Sequence, residues 1–110
     1  MASAAQRKGK GYERHIAKLL SRAFDCNVRR VPCSGALDIK GDLRNLDGVL
    51  APYVIECKKQ EHLNIWDSLR QTFTQAGYKK GLLIFSRNNE RDYVCLDLND
   101  FIELLQSGKE

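Results

Sequence analysis

Residues 53–58, Tyr-Val-Ile-Glu-Cys-Lys, place two charges inside an otherwise apolar strand. A strand alternates its side chains, so Glu56 and Lys58 share one face while Ile55 and Cys57 take the other. Burying an unpaired charge is expensive, and a core-facing position does not ordinarily accept Glu or Lys. Taken alone, Glu-x-Lys reads as a solvated face or a surface ion pair. The surroundings say more. Gly41-Asp42 lies one short hairpin upstream and adds a second carboxylate. Asp42, Glu56 and Lys58 then make a place to hold a divalent cation beside a positive charge. Mg²⁺ takes hard oxygen ligands, usually one or two carboxylates, with substrate phosphate completing its shell. The chemistry this suits is metal-assisted phosphodiester hydrolysis.

Residues 11–24 show helical periodicity without a proline. Ile16, Ala17, Leu20 and Phe24 form one stripe, and Glu13 points almost along its centre. A carboxylate there is either a solvated first-turn residue that favours the helix dipole or a part of a site. Further along, Asn27–Val31 reads as a strand and 32–36 as a polar loop, where Ser34-Gly35 lets the backbone approach a phosphate. Two more strands are expected near Asp42–Leu46 and Tyr53–Lys58, joined through Asp47-Gly48. Asn64 caps a helix from Ile65 to Gly77 with Ile65, Leu69, Phe73 and Ala76 on one face. Gly81–Ser86, with the apolar run Leu82-Leu83-Ile84-Phe85, is expected to be a central buried strand. Tyr93–Leu96 makes a fifth strand, and Asn99 caps a final helix with Ile102, Leu104 and Leu105 inward. The order α-β-β-β-α-β-β-α predicts an α/β domain, a mixed five-stranded sheet flanked by helices. Trp66 and Phe73 are expected in the core, and Gln71 and Gln75 on the surface.

One domain accounts for all 110 residues, since a chain of this length supports a single core. No apolar run is long enough to span a bilayer, and no stretch reads as a secretory h-region. Cys26, Cys33, Cys57 and Cys95 lack the C-x-x-C spacing of a zinc or redox motif, which predicts free thiols in a reducing, cytoplasmic setting. Charge is uneven. Residues 1–60 hold 12 Lys/Arg against 6 Asp/Glu, whereas 61–110 hold 6 against 8. The basic excess lies in the half that carries the carboxylates, which suits a polyanionic partner. Residues 1–8 read as a mobile basic arm.

The motifs in this half resemble the PD-(D/E)xK nuclease superfamily, and within it the small archaeal-type Holliday junction resolvases, cellular or viral. The pieces are Arg7-Lys8-Gly9, Tyr12-Glu13-Arg14, Arg29-Arg30-Val31, Ser34-Gly35-Ala36, Gly41-Asp42 and Ile55-Glu56-Cys57-Lys58, in family order. Gly41 stands where the motif has proline, and Asp38 and Asp47 leave the choice of aspartate open. The resemblance implies a restriction-endonuclease-like fold and a Mg²⁺-dependent endodeoxyribonuclease, with Mn²⁺ able to substitute. Asp42, Glu56 and the Cys57 backbone carbonyl would hold metal. Glu13 would orient a water or ligate a second ion, Lys58 would stabilise charge, and Ser34 would contact the scissile phosphate region. Arg7, Lys8, Lys10, Arg14, Arg29 and Arg30 would contact DNA backbone. The expected partners are branched double-stranded DNA and a second copy of the chain, because paired cuts need two sites. A restriction-like or repair endonuclease, and a DNA-binding module of the same fold without catalysis, are the alternatives.

Overall fold

The computed structural model describes residues 4–31, 41–45 and 48–108. Its elements run α1 (Ala4–Phe24), β1 (Arg29–Arg30), β2 (Leu43–Arg44), β3 (Tyr53–Lys59), α2 (Ile65–Ala76), β4 (Lys80–Ser86), β5 (Tyr93–Cys95) and α3 (Leu98–Ser107). The strands form one sheet in the order β1-β2-β3-β4-β5. Neighbours are antiparallel except β3 and β4, which run parallel with Ile55 opposite Leu82. A parallel pair needs a crossover, and α2 supplies it. The mixed sheet flanked by helices is the architecture that the sequence implied.

Tyr53, Ile55 and Cys57 of β3, with Leu82 and Ile84 of β4, pack against Tyr12, Ile16 and Ala17 of α1. Burial of these side chains is the main stabilising term of the fold. The helix begins at Ala4, so residues 4–8 stand in α1 rather than ahead of it. Ala, Gln, Arg and Lys are good helix formers and prolong a helix already anchored by its later turns. Tyr12 joins the buried stripe and Phe24 leaves it, 48% exposed. The helix ends there, with Asp25 at φ +48°.

β1 and β2 are shorter than expected, two residues each. Asn45 ends β2. Its fully buried amide accepts from the Leu50 N–H at 3.2 Å and donates to the Asn27 carbonyl at 3.0 Å. Any side chain on Gly48 would collide with that amide. Asp47 lies outside the described residues.

In α2 the Asn64 cap forms as expected, accepting from the Asp67 N–H at 3.1 Å, and Gly77 closes the helix at φ +61°. The buried face differs. Ser68, Thr72 and Ala76 turn inward, while Trp66 is 69% exposed and Phe73 lies at the surface. The helix comes close to the sheet at Gly81, where a Cβ would stand 3.1 Å from both Thr72 and the Phe73 ring, so Phe73 overlies β4 at the rim of the buried face. Asp97, not Asn99, caps α3, and none of its residues is buried, Ile102, Leu104 and Leu105 included. Cys26, Cys57 and Cys95 are free thiols, and Cys33 lies outside the described residues. Among the described residues no helix is long and apolar enough to cross a membrane.

Candidate active site

Asp42 sits where β2 enters the sheet, and the backbone around it is fully engaged. Its N–H donates to the Ile55 carbonyl at 2.8 Å, and its carbonyl accepts from the Val31 N–H at 2.9 Å. Its Oδ2 accepts from the Cys57 N–H at 2.8 Å, which points the carboxylate at the middle of β3. Gly41 makes this possible. It adopts φ +91°, and a Cβ there would meet Val54 Cγ1 at 2.6 Å. Proline fixes φ near −65°, so the glycine is required here by the path of this chain.

Glu56 is 3% exposed, and its Oε1 has no hydrogen-bond partner. Burial raises its pKa to about 8, with the neighbouring Asp42 charge and a hydrogen bond to that carboxylate next in size and Lys58 opposing. A buried carboxyl oxygen left without a partner costs free energy that the Lys58 charge only partly offsets. Lys58, two residues on and half-buried, shares the face of Glu56. Burial of the Cys57 thiol, on the opposite face, pushes its pKa well up, so it acts as a small hydrophobe.

Glu13 reaches the same neighbourhood from α1. Burial raises its pKa first and the Asp42 charge second, while Arg30 and Lys10 oppose. Arg30 Nε donates to Glu13 Oε1 at 3.1 Å, and both side chains are largely shielded. Arg30 is thus held as a partner of Glu13, a role the linear sequence did not show. Lys8 is half-buried on α1, whereas Lys10, Arg14 and Arg29 are exposed. Arg29 lies beside the Asn27 amide oxygen, at 3.0 Å once that amide is correctly oriented. Arg7 falls near the start of α1. Ser34 and Asp38 lie outside the described residues.

A second contact was also absent from the sequence reading. The Tyr12 hydroxyl donates to Asp92 Oδ1 at 2.8 Å, and His15 Nε2 stands 3.4 Å from Asp92 Oδ2. Lys59 Nζ lies 5.8 Å from the centre of the Tyr12 ring. Asp92 thereby ties the β4–β5 connection to the helix that carries Glu13.

Among the described residues no three His, Cys, Asp or Glu side chains form a ready-made metal cage. The donor set nevertheless suits a hard cation that brings its own water and phosphate ligands. Asp42 is aimed by a backbone N–H, and Glu56 holds an unpartnered oxygen in the same place. Two carboxylates with substrate oxygens satisfy Mg²⁺ without a closed protein shell. The residues present fit such an ion.

A family model described as "Phage putative PDDEXK endonuclease" matches residues 4–109 of the chain. No curated protein and no solved structure matches it.

Proposed function

The chain belongs to the phage PDDEXK endonuclease family, and on that premise we propose that it is a metal-dependent, structure-selective DNA endonuclease. Its substrate on this reading is branched duplex DNA, the four-way junction above all, as in the resolvases its motifs resemble. One observation carries the proposal: the buried Glu56 carboxyl group beside Asp42 and Lys58, whose Oε1 has no hydrogen-bond partner. A bare structural role gives no reason to keep that oxygen unsatisfied.

Asp42, Glu56 and the Cys57 carbonyl would hold Mg²⁺, with Mn²⁺ as a substitute. A bound divalent cation supplies an acidified water and a counter-charge for the phosphate. The side chains do the rest. The Cys57 N–H fixes the direction of Asp42, and Lys58 offers an ammonium to the charge that builds on the phosphoryl oxygens. Arg30 holds Glu13 in place to accept a hydrogen bond from the attacking water. Lys10, Arg14 and Arg29, exposed around this cluster, would grip the DNA backbone without reading sequence.

A two-fold homodimer completes the reading, since paired cuts in one junction need two sites. The exposed Phe101, Ile102, Leu104 and Leu105 of α3 are the favoured surface, and sedimentation with and without junction DNA tests it. The decisive experiment compares cleavage of a four-way junction with that of linear duplex of matched sequence, in Mg²⁺ and in chelator. Junction-selective, Mg²⁺-dependent cutting is the expected result. Equal cutting of linear duplex would move the protein to the restriction-like class, and binding without cutting would make it a non-catalytic module.

A further inference from the structure

Beyond Lys58, at the carboxyl ends of the parallel strands β3 and β4, lies a cavity of about 350 Å³. The crevice outside the carboxyl ends of parallel strands is a recurrent ligand position in α/β sheets. Gln60, Phe85, Arg87, Arg91 and Tyr93 line it. Its relation to the carboxylate cluster follows from strand register. Lys58 is opposite Phe85, and Phe85 is opposite Tyr93, so the three side chains rise from one side of the sheet on adjacent strands. Two strand spacings, roughly 10 Å, separate the Lys58 and Tyr93 positions. That is the reach of a short stretch of nucleic acid leaving the cluster.

The wall of the cavity is preformed. Phe85 and Tyr93 stack with centroids 6.0 Å apart and planes 30° from parallel, and Tyr93 keeps half its surface exposed. The turn beyond β4 is closed by Ser86, whose buried hydroxyl lies 3.1, 3.2 and 2.9 Å from the carbonyls of Arg87, Glu90 and Arg91. The acidic groups at the rim are already engaged. Glu61 accepts from the Asn88 N–H at 2.7 Å, and Glu90 stands 3.8 Å from Arg87. Among the described residues Arg91 has no ion-pair partner.

An aromatic face beside a guanidinium recognises a base and its phosphate without regard to sequence. Bases inside a duplex are stacked and cannot enter such a recess; only an unpaired or splayed nucleotide can. We propose that this cavity receives the base of an unpaired nucleotide next to the scissile phosphate, stacked on Tyr93, with Arg91 on its phosphate. The inference rests on the nuclease reading and narrows its substrate: a branch point that frees a base is preferred to fully paired DNA.

Fluorescence anisotropy in chelator tests this without cleavage. The probes are a splayed-arm duplex and a fully paired duplex of equal length. The wild-type chain should bind the splayed duplex more tightly. Tyr93→Ala should weaken that binding about fivefold or more, and Arg91→Ala should weaken it in the same direction. Both variants should leave binding of paired duplex within about twofold, and Tyr93→Phe should behave as wild type. Thermal unfolding establishes that each variant is folded; if Tyr93→Ala is not, Arg91→Ala decides. Equal losses on both probes, no loss on either, or no wild-type preference would overturn the proposal. Those results in a protein that still cuts junctions in Mg²⁺ reject the cavity alone. A wild-type chain that binds neither probe and cuts nothing rejects the nuclease reading itself.

Discussion

The two faces of β3 are buried to the same degree and built for opposite ends. Toward α1, Tyr53, Ile55 and Cys57 meet aliphatic and aromatic side chains, and Ile55 is wholly inaccessible. The other face carries Val54, Glu56 and Lys58, and on this side Gly81 of β4 meets Thr72 of α2. Burial therefore does not by itself mark a core. What separates the faces is the partner each receives: large apolar groups from α1, and from α2 the small Ser68, Thr72 and Ala76 with Phe73 at their rim. One strand can hold the molecule together with its odd-numbered residues and present chemistry with its even ones.

Substitutions at neighbouring positions of β3 should split these roles, and the effects are the largest expected. Ile55→Ala should lower unfolding free energy by about 2–5 kcal/mol in denaturant titration. Glu56→Gln should leave stability equal or higher near neutral pH, because it removes a buried acid that must take up a proton on folding, yet cut the cleavage rate by about 10²–10³-fold. Asp42→Asn and Lys58→Ala should behave like Glu56→Gln in cleavage, with DNA affinity largely retained. A Glu56→Gln chain that unfolds as readily as Ile55→Ala would erase the distinction.

The next effect is on pH. The pKa of Glu56 is raised on folding, so its contribution to stability is fully present below the unfolded-state value near 4.5 and is lost as pH rises through about 8. The Glu13 pKa is raised as well and acts in the same direction. In chelator, the unfolding midpoint should fall between about pH 5 and about pH 8, and the fall should be shallower in Glu56→Gln. Mg²⁺ should restore more stability at the upper end of that window, since it binds the ionised carboxylates. The opposite trend, metal stabilising more at low pH, would place the ion elsewhere.

How much of this was legible in the chain depends on distance along it. Asp42, Glu56 and Lys58 could be singled out because strand alternation exposes a charge on the wrong face within a few residues. The Asn64 and Gly77 caps were likewise local. The pairing of Glu13 with Arg30 spans 17 residues and that of Tyr12 with Asp92 spans 80, and neither leaves a periodic trace. The face of α2 was misread for a different reason. Periodicity reports which side of a helix is more apolar, but not how closely Thr72 and Phe73 pack over Gly81 of the strand that follows. The same limit applies to α3, whose apolar stripe is plain in sequence and finds no cover within the described residues.

The smallest effect separates Arg29 from Arg30, neighbours on β1 that the sequence treated as equal phosphate contacts. Arg29 is exposed and, among the described residues, has no ion-pair partner, so its charge is available to DNA. Arg30 is shielded and spends its charge on Glu13. Each phosphate contact on duplex DNA contributes a log–log salt slope of about −0.9. Arg29→Ala should therefore make the salt dependence of binding shallower by about 0.9 and leave the bound-state cleavage rate nearly unchanged. Arg30→Ala should do the reverse: an unaltered slope, with slower cleavage because Glu13 is no longer held. Anisotropy across a salt series and single-turnover cleavage read the two quantities separately. Equal slope changes in both variants would mean that Arg30 leaves Glu13 when DNA binds, and Glu13 would then be positioned by something other than its partner in the free protein.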